Sequence, residues 1–221
     1  MTSFQTTTIW QKLLIEGSKF VTSATFEDMA EKFGKNRERS LRYLQEHGYV
    51  LRVLRGIFYV MSPEEMEGGY CKYSIYEMVS EALRIKGVKN WYFGLETALK
   101  MNRMTHEFFT VDYVITDSFR TTKTIGILDS RFAFTRWKIG SGPAPWKVKR
   151  ITDHGCALFH SDKERTVLDL SYRNYLRKED LERTIAPIIE FDEQIDRERI
   201  RGYLTSFPPK FREMITSGSI L

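Results

Sequence analysis

Apolar positions recur at helical spacing through the first fifty residues and then switch to strand spacing. Ile9, Trp10, Leu13 and Leu14 share one side of a helix, with Thr7 or Thr8 available as a cap and Gly17 as a stop. A second, short helix is expected from Thr25 as cap, with Asp28 near the positive end of the dipole, Met29, Ala30 and Phe33 as its buried stripe and Gly34 as its end. Lys35 and Asn36 open a third, in which Leu41 and Leu44 face inward and Gly48 closes the helix after His47. The runs Tyr49 to Val53 and Ile57 to Val60, separated by Leu54-Arg55-Gly56, then predict a hairpin. Helix, helix, glycine turn, helix, hairpin is the order of a winged helix-turn-helix. Ser62-Pro63, Glu64-Glu65 and Gly68-Gly69 read as the linker after it, which puts a domain boundary near residue 65.

The rest of the chain alternates between the two periods. Helices are expected over 75–85 and 93–101, and strands over 108–116, 124–128, 132–138, 147–151 and 157–159. Helices return with Ser161-Asp162-Lys163-Glu164, a capping-box pattern ahead of Val167, Leu168 and Leu170, and continue over 178–189, 192–203 and 210–215. The expected fold class is α+β: a winged helix-turn-helix at residues 1–65, then a mixed α/β domain at 66–221 that ends in helices. No repeat with a period of 20 to 50 residues is visible.

A recognition helix presents long donors to base edges while its opposite face packs inward. The third helix has that division. Leu41 and Leu44 hold it down, Arg37, Arg39, Arg42 and Tyr43 lie mainly on its other faces, and Lys35 and Asn36 stand where its N-terminus would meet a duplex. Arg55 at the hairpin tip places a cation where a wing reaches a phosphate or the minor groove. Between Lys35 and Arg55 there are six Lys and Arg against two Glu, a local excess that the whole chain, at a net charge of +5, does not share. Two plainer explanations compete. Arg42 could pair with Glu38 or Glu46 on a solvated helix, and some winged helices bind proteins or RNA.

Composition narrows the class. Of the 221 residues 42% are hydrophobic, enough for a core, so disorder is excluded as the main state. Cys71 and Cys156 lie far apart without metal or redox spacing, the N-terminus lacks the pattern of a signal peptide, and no run approaches the roughly 18 apolar residues of a membrane span. A cytoplasmic protein with no membrane partner is expected. His154, Cys156 and His160 fall within seven residues, but a hairpin turn explains that spacing and a fourth ligand is missing, so no metal is expected. Asp112, Asp117 and Asp129 suggest a metal-dependent nuclease, yet no glutamate occurs between Glu107 and Lys163 to complete the carboxylate set. No phosphate-binding loop, zinc-protease or nucleophile-elbow motif is present. The expectation is a non-enzyme without catalytic residues or cofactor. Most aromatic residues sit at core spacing; Phe134-Thr135-Arg136-Trp137-Lys138 interleaves rings and cations and stands as a second nucleic-acid candidate.

Three segments carry a family resemblance. Glu164-Arg165-Thr166-Val167-Leu168-Asp169 resembles the start of a helix in the C-terminal domain of the AbiEi abortive-infection antitoxins. Arg55-Gly56-Ile57-Phe58-Tyr59-Val60 resembles their wing, and Gly94-Leu95-Glu96-Thr97-Ala98-Leu99 their short helix entering the second domain. Within the first segment, Arg165 and Asp169 are spaced for a helical ion pair, a structural feature with no chemistry of its own. The resemblance implies an autorepressing transcriptional regulator of a type IV toxin-antitoxin operon. It implies binding to inverted repeats in promoter DNA, self-association on that DNA and opposition to a nucleotidyltransferase-like toxin without a tight toxin complex. This chain is shorter than many such proteins, which separates the antitoxin role from the DNA-binding role.

Overall fold

The computed structural model describes residues 3–138 and 144–217, with side chains of the first helix described from residue 7. Two compact units are present: Met1–Lys89 with the segments Ile125–Ser130 and Thr152–Cys156, and Asn90–Thr124 with Arg131–Ile151 and Ala157–Leu221.

The first unit begins with α1 (Ser3–Ile15), β1 (Phe20–Thr22), α2 (Ser23–Lys32), α3 (Arg37–Glu46), β2 (Val50–Leu54) and β3 (Ile57–Val60). Both β1 and β2 pair antiparallel with β3, giving the order β1-β3-β2, the sheet of a winged helix. Ile9, Leu13, Phe26, Met29, Leu44, Val50, Phe58 and Val60 are all buried in its core. The cap of α2 is Thr22, which accepts from the Thr25 backbone N–H at 3.1 Å, so the helix starts earlier than the expected cap at Thr25. The Thr25 hydroxyl sits 2.9 Å from that of Thr22 and is used there. Phe33 leaves the expected buried stripe; it is the C-cap of α2 and is exposed. The hairpin turn is two residues, Arg55-Gly56, because Leu54 is already in register with Ile57 and Gly56 takes a left-handed φ of 78°.

The expected linker is instead α4 (Pro63–Gly68), and it moves the boundary. Ser62 caps it in a full capping box with Glu65, and Glu65 is completely buried. The Glu65 carboxylate accepts from the Ser62 N–H at 2.8 Å, the Lys72 N–H at 2.7 Å and the Tyr59 hydroxyl, and pairs with Lys19 at 3.1 Å. These partners lie on both sides of residue 65 in sequence, so the chain does not divide there. The unit runs on through α5 (Ile75–Ile85), capped by Ser74 in a second box with buried Glu77, and its first continuous stretch ends at Lys89.

The second unit contains β4 (Trp91–Gly94), α6 (Leu95–Met101) and β5 (Asp112–Thr116); β6 (Ile125–Ile127) belongs to the first unit. After it come β7 (Ser130–Arg136), β8 (Lys147–Ile151) and β9 (Ala157–Ser161). The chain continues with α7 (Lys163–Leu176), α8 (Leu181–Glu190), a 3-10 turn over Asp192–Gln194, α9 (Arg197–Leu204) and α10 (Pro209–Ser217). The strands lie in the order β7-β5-β4-β9-β8, with β5/β7 and β4/β9 parallel and β4/β5 and β8/β9 antiparallel. Every residue of β4 is buried, which gives a continuous apolar run and hides strand alternation, so the helix expected from Phe93 starts two residues later at Leu95. At the switch stands Gly94, where a Cβ would lie 2.8 Å from the Ile115 side chain. The helices pack Leu99, Val167, Leu168, Ile188, Ile200 and Phe211 into one core. The molecule is therefore α+β, with a winged helix first and helices last. Among the described residues no helix is long and apolar enough to cross a membrane.

Candidate nucleic-acid interface

α3 is positioned by its cap and its buried side. Asn36 accepts from the Arg39 N–H at 2.9 Å, and Ser40 and Leu44 are buried with Leu41 packed beside them. A hundred degrees of rotation per residue then puts Arg39 and Arg42 on a common outward stripe, opposite Leu41. Both are exposed. Neither Glu38 nor Glu46 forms an ion pair with Arg42 among the described residues, so the helix does not neutralise its own arginines. Arg55 is exposed at the wing tip.

The other sequence-selected residues are placed differently. Arg37 is half-buried and paired with Glu27 of α2 at 2.8 Å, which ties α3 to α2. The Asn36 oxygen is used as the cap, and Lys35, half-buried, donates its backbone N–H to Ala30. Tyr43 is half-buried, stacked on His47 at 4.0 Å between ring centroids and lying 6.4 Å from Tyr49, so its ring is part of an aromatic row that also includes Trp10. Arg52 is the residue that site selection from sequence passes over. It is exposed on β2, three residues before the tip, beside a register shift between Arg52 and Leu54. Regular strand alternation would set Arg52 on the same face as the buried Val50 and Leu54, so the sequence period hides its exposure. Arg39, Arg42, Arg52 and Arg55 are thus exposed cations of α3 and the hairpin.

Two carboxylates of this unit, Glu65 and Glu77, are buried and ionised. Burial works against the charge of Glu65, but hydrogen bonds from Tyr59, the Lys72 backbone and Ser62 outweigh it and hold the group down at about 2. Burial likewise opposes the charge of Glu77, and hydrogen bonds from Thr152, Ser74 and His154 bring it to about 2.

Three arginines of the second unit, Arg165, Arg173 and Arg199, are engaged by rings or carboxylates. Arg165, 5% exposed, places its guanidinium 4.4 Å above the Trp146 ring and 4.3 Å from the Phe207 ring, donates to Asp169 at 2.8 Å and to Ser206 at 2.8 Å. Asp169 also accepts from the Tyr92 hydroxyl at 2.8 Å. Burial pushes the Asp169 carboxyl up to about 6 against the pull of Arg165 and Tyr92, which still leaves it ionised at neutral pH. The cap of α7 is Asp162, which accepts from the Arg165 N–H at 2.9 Å and from Tyr203, and pairs with Arg199 at 2.6 Å. The expected Ser161 to Glu164 box does not form: Ser161 closes β9 with its hydroxyl on Thr166, while Glu164 accepts from the Asp196 N–H. Arg173 pairs with Glu96 at 2.6 Å.

The remaining candidates fall into ordinary roles. Phe134 is buried and Trp137 packs on Tyr172, which leaves Arg136 and Lys138 as exposed cations of that stretch. Asp112 is buried against Thr97 and Lys100; His154 contacts Glu77, and His160 its neighbouring backbone carbonyl at Ser161. Cys71 and Cys156 are free thiols. Among the described residues no three His, Cys, Asp or Glu side chains converge as a metal site.

No family model matches the chain, and no curated protein matches it. Among solved structures, the crystal structure of the RV2827C protein from Mycobacterium tuberculosis is similar to it, with a TM-score of 0.59 at 11% identity, covering 99% of this chain and 78% of that one. At that identity the likeness establishes a shared fold over nearly the whole chain.

Proposed function

We propose that the protein is a sequence-specific double-stranded-DNA-binding transcriptional regulator. The observation that carries this reading is the exposed arginine set on α3 and the wing, Arg39, Arg42, Arg52 and Arg55, on a helix whose own acidic residues leave Arg42 unpaired. Arg39 and Arg42 serve as the base-edge readers and Arg55 as the phosphate or minor-groove contact, while Asn36, Arg37, Lys35 and Tyr43 support the helix that presents them. The resemblance to AbiEi antitoxins supports an autorepressing role in the cytoplasm, in a type IV toxin-antitoxin operon, with copies self-associating on promoter inverted repeats and no tight toxin complex.

Fluorescence anisotropy with the chain's own promoter duplex and a scrambled duplex, at about 150 mM salt where phosphate attraction is partly screened, tests the reading. The promoter should bind more tightly. Arg42→Ala should cost about 1 to 3 kcal/mol on the promoter and little on the scrambled duplex, whereas Arg55→Ala should weaken both and flatten the salt slope by about one. Equal binding to the two duplexes, or full binding by both variants, overturns it. Growth rescue beside a neighbouring nucleotidyltransferase gene tests the antitoxin role separately.

A further inference from the structure

A cleft of about 380 Å³ in the second unit is lined by Trp137, Lys138, Arg165, Tyr172, Ser206 and Phe207, and two prolines, Pro208 and Pro209, complete its wall. That volume is within the range of sites for small organic ligands. Three of the lining side chains are aromatic, two are cationic and none is acidic; Asp169 holds Arg165 but is not part of the wall.

Arg165 is built in with unusual care for a residue of purely structural use. The Trp146 and Phe207 rings lie 4.4 and 4.3 Å from its guanidinium, and Asp169 and Ser206 fix the direction of its fork. A guanidinium carries five N–H donors; Asp169 and Ser206 take one each, and Tyr92 touches the group as well. A buried ion pair is seldom better for stability than apolar residues of the same volume, because both charges are desolvated. A preoriented cation at an aromatic-walled opening, with a second cation at Lys138, is the arrangement that recognises a flat ring bearing a negatively charged oxygen group.

We propose that this cleft binds a small planar aromatic molecule carrying an oxyanion, its ring against Trp137 and Phe207 and its oxyanion at the Arg165 edge and Lys138. The proposal stands apart from the DNA-binding reading. Phosphate and carboxylate share the required chemistry, so calorimetry on the full chain uses uridine 5′-monophosphate and indole-3-acetate, with uridine and indole as their uncharged counterparts. At least one anion should bind, at least about tenfold more tightly than its uncharged counterpart, a margin that reports the oxyanion contact. Lys138→Glu, an exposed change with an unaltered melting temperature, should weaken that binding by about tenfold, and Trp137→Leu should weaken the anion and its counterpart alike. Binding of the nucleotide alone identifies the phosphate as the source, and binding of the indole acid alone the carboxylate. No heat from either anion up to about 5 mM, equal affinity for charged and uncharged forms, or undiminished binding by Lys138→Glu overturns the proposal.

Discussion

Two groups of arginines, one in each unit, play opposite parts. In the winged helix Arg39, Arg42, Arg52 and Arg55 are exposed, whereas in the second unit Arg165 and Arg173 are enclosed by rings and carboxylates and Arg199 is held by Asp162 and Glu164. Sequence spacing alone does not separate them. Arg42 has a glutamate at i−4 and another at i+4 and pairs with neither; Arg165 has its aspartate at i+4 and is locked to it. Burial decides between them. At a water-exposed helix surface an ion pair gains little against side-chain entropy, while a buried guanidinium without its partner would carry the full desolvation penalty. Exposed arginines of the first kind remain available to a polyanion, and enclosed ones of the second kind hold the fold together.

The sharpest test of this contrast is thermal or denaturant unfolding of two alanine variants. Arg165→Ala strands Asp169 and Tyr92 in the core and should cost about 3 to 5 kcal/mol. Arg42→Ala should stay within about 0.5 kcal/mol of the parent. Comparable losses in both variants would erase the distinction between the units.

Acid should separate the units next. Glu65 and Glu77 titrate in the folded state at about 2, below the ordinary glutamate value near 4.3 of an unfolded chain. Their stabilisation is complete above about pH 4.3 and is lost as pH falls toward 2, on the order of 2 to 3 kcal/mol for each. Asp169 has the reverse sign. Its folded value, raised to about 6, makes the ionised form costly at neutral pH, and that cost is relieved as pH falls from 6 toward 4. Trp10, whose indole donates to the Met61 carbonyl at 2.7 Å, reports on the first unit, and Trp91, Trp137 and Trp146 report on the second. In indole NMR spectra across an acid titration, the Trp10 signal should leave its native position at a higher pH than the other three. The opposite order would show that the Glu65 and Glu77 networks are not what holds the first unit.

These networks also mark how far the sequence could be read. Local signals were sufficient where a cap, a stripe and a glycine stop coincide: α3 opens at Asn36, the hairpin falls on Leu54 to Ile57, and α5 spans the residues expected of it. They failed where long-range packing decides. Ser62-Pro63-Glu64-Glu65 has linker composition, and only the tertiary contacts of Glu65 with Lys19, Tyr59 and Lys72 turn it into part of a core. β1 is too short to show alternation and exists because β3 offers it an edge; β4 is buried throughout and so lacks alternation altogether. Of the candidate interface, residue types and their helix were legible, but which side chains are already occupied was not. Arg37 and Arg39 look equivalent in sequence, and the difference between them is Glu27, ten residues away on another helix.

That difference gives the smallest expected effect and the finest test. Arg37 and Glu27 form an exposed pair, so Arg37→Ala should change stability by less than about 1 kcal/mol. Its effect on DNA affinity should also be smaller than that of Arg42→Ala, because Arg37 is already engaged with a carboxylate. Glu27→Gln removes that carboxylate while keeping its shape. It frees Arg37 beside the cationic stripe and takes away one negative charge from the face that would meet phosphates. Affinity for duplex DNA should therefore rise, for promoter and scrambled duplexes alike, and the salt slope should steepen toward one additional phosphate contact, about 0.9 in slope. In the double variant Glu27→Gln with Arg37→Ala the added slope should vanish. A gain that survives loss of Arg37 would assign the effect to the missing carboxylate alone and remove Arg37 from the set of cations that α3 can offer to DNA.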